Sequence, residues 1–218
     1  MRIVGVAARK GGVGKTSTAV HLAGELTERG FRVQLADCDL QGSATHWAAL
    51  GQLGFTVHPT PLENASQVSA WTKQINALTG DLVVLDSPPH MDSALGGVLG
   101  IADLVLIPCG PSGLDLVATT ETVGVVRDVR GVRRGKPLAL LVPNRVDLRT
   151  TSGQQIRAAL KKVGEPVATM LGDRTAFSDS FNAGQWVGQY APGSVAHLEL
   201  KVLTDSVLKL LNMARTKT

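Results

Sequence analysis

The sequence predicts an α/β fold, a single domain over residues 1–218 built on a mostly parallel sheet with helices on both faces. Three observations predict it. Short apolar runs alternate with longer amphipathic stretches along the chain. Aromatic residues make up only 4% of a chain that is 44% hydrophobic, so the core is built from Val, Leu, Ile and Ala, which suits a sheet buried on both faces. The first apolar run also leads straight into a glycine-rich loop, "RKGGVGKTS", and then a helix-like stretch.

The elements follow in order. Residues 2–8, "RIVGVAA", read as a buried strand, and residues 15–29 as a helix closed by Gly30. Residues 32–39, "RVQLADCD", read as a second strand. Residues 51–60 are the least regular part of the first half, and a helix is expected over 62–78. Residues 81–89, "DLVVLDSPP", are a strand-like run ending in an acid and two prolines, and residues 103–109 and 137–144 repeat the theme. Helix-like stretches cover 114–129, 152–163 and 195–213, and "PVATML" at 166–171 reads as the last strand. No repeat, low-complexity segment or linker divides the chain.

Composition narrows the function classes. The N-terminal run is too short for a secretory core, and the most apolar region, residues 95–109, is interrupted by Asp103, so a cytoplasmic protein without a membrane span is expected. Cys38 and Cys109 both sit in apolar, strand-like contexts and read as buried free thiols. The net charge of +4 is uneven, −2 over residues 1–109 and +6 over 110–218. A basic second half suits an acidic partner such as nucleic acid, and equally a solvated basic surface.

The loop carries the chemistry. Gly11, Gly12 and Gly14 let backbone N–H groups around Val13 turn toward an anion, and the helix starting near Lys15 adds its dipole. Lys15 is placed to reach the β- and γ-phosphates, Thr16 to offer a hydroxyl to Mg²⁺, and Ser17 follows it in the cradle. The usual first glycine of G-x-x-x-x-G-K-[ST] falls at Ala8 or Arg9, so the ordinary pattern is altered, and an additional lysine, Lys10, opens the run. A cation at that rim could reach a nucleotide held by a facing copy, as an arginine finger does; it is otherwise a solvated surface lysine.

"KGGVGKTS" resembles the deviant Walker A box of the ParA/MinD family of P-loop ATPases, whose signature lysine matches Lys10. The resemblance is closest to small ParA-type ATPases without an N-terminal DNA-binding domain, since the first strand begins at residue 2. It implies an ATP-sandwich dimer in which Lys10 contacts the partner's phosphates. "ADCDLQGSAT" resembles the family's D-x-D-P-Q-G-N-A segment, with Leu40 replacing proline and Ser43 replacing asparagine. Asp39 then matches the acid that helps place Mg²⁺ and the attacking water, and Asp37 a structural one. "LVVLDSPP" resembles Walker B, with Asp86 holding the Mg²⁺ shell. His90, in the loop that follows, reads as a surface histidine. "LLVPNRVD" resembles the segment whose asparagine reads the adenine edge, which points to Asn144. Residues 170–200 resemble the tail that covers the base.

The resemblance implies an ATP hydrolase, weak until stimulated by a ParB-like adaptor. Its ATP-bound homodimer would coat nucleoid DNA nonspecifically and drive plasmid or chromosome partition or cargo positioning. Alternatives are a MinD-like membrane-associated ATPase and a metabolic enzyme on the same fold. Two basic sets compete as the DNA surface. One is "RDVRGVRRGK", residues 127–136, also readable as a solvating helix end. The favoured set is led by Arg157, Arg174 and Lys201.

Overall fold

The computed structural model describes residues 1–89 and 92–213. In chain order the first half runs β1 (Arg2–Val6), α1 (Lys15–Glu28), β2 (Val33–Asp37), α2 (Ser43–Ala49), β3 (Thr56–Pro59) and a 3-10 turn (Ala65–Gln67) leading into α3 (Val68–Asn76). Then come β4 (Leu82–Asp86), α4 (Asp92–Ile101), β5 (Leu104–Cys109), α5 (Gly113–Val132), β6 (Leu138–Pro143), α6 (Thr151–Lys161), α7 (Thr175–Asn182), α8 (Val187–Tyr190) and α9 (Val195–Leu210). The strands form one sheet in the order β3-β2-β4-β1-β5-β6, and every pairing is parallel.

Both faces of the sheet are covered, which is why its strands are near-continuous apolar runs. One core joins Val4 and Val6 of β1 to Leu22 and Leu26 of α1 and to Leu200, Leu203 and Val207 of α9. The other joins Ile3 of β1 to Val98 and Leu99 of α4, Val123 and Val126 of α5, and Ile156 and Leu160 of α6. Alternation along β1 thus sends side chains to opposite faces. α4 crosses so close to β1 that a Cβ on Gly5 would lie 2.8 Å from Val98 Cγ1.

The sheet differs from the sequence expectation at both ends. Residues 56–59, inside the segment read as irregular, form the edge strand β3 on β2. Four residues between Gly54 and Thr60, ending in Pro59, are exposed at both ends and half-buried at Val57 and His58, and give no alternating apolar signal. The expected last strand at 166–171 does not form a continuous ladder, only isolated bridges at Leu141–Val167 and Val146–Gly172. Ala168 N–H donates to the Leu141 carbonyl and Leu171 N–H to that of Pro143, so three steps on one chain face two on the other. That mismatch interrupts pairing, and Pro143 has no N–H to repair it. Helices α2, α7 and α8 are short and were not expected.

Register positions the chemistry. Val6 and Asp86 are neighbours at the ends of β1 and β4, and Asp37 of β2 pairs with Asp86 from the other side. The loop leaving β1 therefore emerges beside two acids, at the carboxyl ends of the strands, where open α/β sheets bind ligands.

Candidate nucleotide site

The glycine loop is folded by its own glycines and by one distant asparagine. Gly12 and Gly14 have φ of 74° and 92°, a left-handed backbone costly for other residues. A Cβ on Gly12 would meet no atom within 4 Å, so the concave side is open. A Cβ on Gly14 would lie 2.2 Å from Asn144 Nδ2, which donates to the Val13 carbonyl at 2.8 Å. Asn144, just beyond β6, is buried and clamps the loop through its amide nitrogen.

Lys15 is buried, with Nζ donating only a long 3.3 Å hydrogen bond to the Lys10 carbonyl. Burial pushes its ammonium below the ordinary lysine value, against the pull of Asp86 and Asp39. Asp86 is fully buried, and neither carboxylate oxygen has a hydrogen-bond partner among the described residues. The Thr16 hydroxyl faces it without completing a hydrogen bond, and burial raises its pKa to about 7. Asp37 is occupied otherwise: Oδ2 accepts from the Thr45 backbone and hydroxyl, each at 2.8 Å, fixing the start of α2. Asp39 is half-buried and accepts from Gln41 N–H at 3.0 Å.

An orphaned buried carboxylate beside a lysine and a threonine hydroxyl, under an open glycine cradle, fits a hydrated divalent cation carrying a polyphosphate. Among the described residues no group of three or more His, Cys, Asp or Glu side chains forms a metal cage. Mg²⁺ keeps several waters and takes ligands from nucleotide phosphates, so one buried carboxylate and one hydroxyl suit it.

Lys10 lies at the rim, and its Nζ meets Asp115 Oδ1 at 2.5 Å. Asp115 also accepts from the Ser112 hydroxyl at 2.6 Å, within a reciprocal capping box that starts α5. Burial acts to raise the Asp115 pKa, but the hydrogen bonds from Lys10 and Ser112 hold it below the usual range. The S-x-x-D spacing of Ser112 and Asp115 is a cap signal that the sequence carries; the use of Asp115 as the lysine's partner is not legible there. Arg145, which the sequence places only in the favoured basic set, has a φ of 55° and donates from Nη1 to the Gly12 carbonyl at 3.2 Å.

Two hollows flank the loop. One of about 470 Å³ is lined by Thr16, Ser17, Asn144, Arg145 and Arg174, among others. The other, about 340 Å³, lies against Lys10, Gly11, Gly12 and Asp115. Lys10, Lys15, Thr16, Ser17, Asn144 and the three glycines are thus brought together at these hollows or in the loop between them.

The basic residues are not gathered in the same way. Arg157 is exposed on α6 and Lys201 on α9, helices that cover opposite faces of the sheet. Arg174 lines the larger hollow and pairs with Glu199 at 2.7 Å. In the rival run, Arg127 and Arg130 bind Glu165, Arg133 donates to the Leu99 and Ala102 carbonyls, and Lys136 pairs with Asp103. That cluster ties α4 and α5 to the turn that leads into β5. Cys38 and Cys109 are buried free thiols, and burial raises the pKa of both. No helix among the described residues is long and apolar enough to cross a membrane. His90 lies outside the described residues.

Residues 4–187 match a family profile described as the CobQ/CobB/MinD/ParA nucleotide binding domain. The chain is similar to "Maintenance of carboxysome distribution protein A" of Halothiobacillus neapolitanus, 34% identical over 75% of this chain and 76% of that one. It is 30% identical to "Protein ParA" of Rhizobium radiobacter over 84% of each chain. Its fold matches the septum site-determining protein MinD of Pyrococcus horikoshii in complex with Mg-ADP, with a TM-score of 0.77 at 19% identity over 96% of this chain and 97% of that one.

Proposed function

The chain belongs to the CobQ/CobB/MinD/ParA nucleotide-binding family, and we propose that it is a Mg²⁺-dependent ATP hydrolase, slow alone, whose ATP-bound form pairs with a second copy and binds double-stranded DNA without sequence preference. An adaptor of the ParB type stimulates hydrolysis and releases the dimer from the nucleoid, and the cycle positions a cargo. The resemblance to a carboxysome distribution protein and to a ParA supports a protein compartment or a plasmid as that cargo. The observation that carries the proposal is the pair of lysines on one loop, Lys15 buried within and Lys10 at the rim.

The family's cofactors, ATP and Mg²⁺, fit the residues present. Loop N–H groups between Lys10 and Thr16 hold the phosphates. Lys15 gives up its weak bond to the Lys10 carbonyl and turns to the β- and γ-oxygens. Asp86 and the Thr16 hydroxyl would hold the metal's water shell, which would give the buried carboxylate its partner. Asp39 orients the attacking water as a hydrogen-bond acceptor. Bound Mg²⁺ supplies charge neutralisation across the phosphates. Lys10 leaves Asp115 and reaches across the dimer to the partner's nucleotide.

Calorimetry and sedimentation with Mg·ATP test this together. Wild-type protein should bind ATP and become dimeric, whereas Lys15→Ala should bind none. Wild-type affinity in Lys15→Ala would remove the nucleotide assignment, and a monomer at saturating ATP would remove the dimer.

A second reading, attachment to a lipid surface, is favoured by the outer side of α9. There Val195, Leu198 and Val202 are each about half exposed, with Lys201 beside them. ATP-dependent flotation with anionic vesicles, without any affinity for random duplex, would move the assignment there.

A further inference from the structure

The hollow of about 470 Å³ extends away from Asn144 into an aromatic lobe between α1, α2 and α7. Trp47 and Phe177 line it with their rings 5.2 and 5.1 Å from that of His21, and Phe181 stands 5.0 Å from Trp47. The rings pack edge to face or tilted on one another, and Phe177 and Phe181 keep part of their surface open to a planar ring system.

Two polar atoms there are unspent. Thr18 Oγ1 and His21 Nε2 are buried without a hydrogen-bond partner among the described residues. Four other helical threonines, Thr27, Thr120, Thr122 and Thr204, satisfy their hydroxyls on the carbonyl four residues back; Thr18 does not. The His21 tautomer is fixed by its other nitrogen. Nδ1 accepts the Val187 N–H at 3.1 Å, so in the neutral ring Nε2 carries the proton. Burial keeps the ring neutral by lowering its pKa to about 3, and the Phe177 backbone draws on it without completing a hydrogen bond.

We infer that His21 is a base-reading residue: its Nε2–H donates to a ring nitrogen of a purine base lodged in this aromatic lobe, with the Thr18 hydroxyl as the second contact. The inference rests on the nucleotide assignment above and adds what selects the base. A fixed donor requires an acceptor on the ligand, and a heteroaromatic ring nitrogen supplies one. The amide oxygen of Asn144, on the same hollow, accepts from an exocyclic amine. Bare ring nitrogens together with an amine describe adenine.

The test varies the ligand and leaves the protein intact. Wild-type chain is titrated with Mg·ATP and with its 1-deaza, 3-deaza and 7-deaza analogues, each lacking one ring nitrogen. One analogue should bind about tenfold more weakly, the loss of a single buried hydrogen bond. His21→Phe, which keeps an aromatic ring, should bind that analogue and ATP alike. Independently, the Nε2 resonance of ¹⁵N-labelled wild-type protein should shift on adding ATP, a readout that does not depend on the variant folding. Equal affinity for all three analogues, or an unmoved Nε2 resonance with ATP bound, overturns the inference while leaving ATP binding intact. Failure to bind ATP at all overturns both.

Discussion

Lys10 Nζ and Asp115 Oδ1 meet at 2.5 Å across 105 residues of sequence, so the rim lysine is held within its own subunit by the cap of α5. A lysine held in this way cannot reach a partner until the ion pair opens. Asp115→Asn keeps an acceptor for Ser112 but removes the charge facing Lys10. Because the lysine is about a third exposed, each pair is worth about 0.2–1 kcal/mol; both copies free a lysine, so the ATP-induced dimer should tighten by roughly two- to thirtyfold. Sedimentation velocity at graded protein concentration reads this. Lys10→Ala should bind ATP with near wild-type affinity yet remain monomeric, and full ATPase activity in that variant would end the idea of a trans lysine.

Asp39→Ala should separate binding from turnover. Its carboxylate touches only the Gln41 N–H, so the fold loses little. ATP affinity should stay within about threefold of wild type, while hydrolysis falls by about 10²-fold and the dimer persists on a sizing column. A variant that binds ATP and stays monomeric would contradict the role.

The nucleotide-free protein should show an unusual pH profile. Asp86, raised to about 7, keeps its proton in the folded state where the unfolded chain has lost it, so it makes stability fall as pH rises from about 4 to 7. His21, lowered to about 3, stays neutral where the unfolded chain is protonated, so its contribution is lost as pH falls from about 6.5 toward 3. Between about pH 4 and 6.5 the two slopes oppose each other. Asp86→Asn should therefore be more stable than wild type at pH 8, on the order of a few kcal/mol, and should lose stability more steeply on acidification. Urea unfolding at pH 5, 6.5 and 8 measures both. Parallel profiles for the two proteins would show that Asp86 is ionised when buried.

Nucleic-acid binding should divide the three favoured cations. Arg157→Glu and Lys201→Glu leave the nucleotide hollow untouched, and whichever of the two faces the duplex should lower duplex affinity only, reducing the salt slope by about one if it contacts a phosphate. Arg174→Glu should also weaken ATP, because Arg174 lines the hollow and pairs with Glu199 beneath it. Since α6 and α9 cover opposite faces, only one of the exposed pair is expected to matter on a flat duplex.

Much of this site was readable before any coordinates. The glycine spacing, the acids at the ends of "LADCD" and "LVVLD", and the asparagine after "LLVP" are local patterns, and parallel register places all of them along one edge. What stayed hidden was long-range. Nothing near Lys10 announces Asp115, and nothing near His21 announces the Val187 N–H that sets its tautomer. β3 and the short helices α7 and α8 were missed because segments of four to eight residues carry too little periodicity to stand out.

α9 grips the nucleotide crevice from behind at two points. Glu199 binds the Gly172 N–H at 2.8 Å and the Arg174 guanidinium, on the base side. Around the tail of α1, the helix that begins at Lys15, His197 meets Glu25 at 3.0 Å and Arg29 reaches the Lys201 carbonyl at 2.9 Å. A ligand that draws the cradle and the base loop together must load both grips at once, so occupancy of the front is registered at the back. Slowed amide exchange along α9 would then serve as a remote gauge of the nucleotide cycle, and a tag or fusion placed on this helix would be felt as a change in how tightly ATP is held.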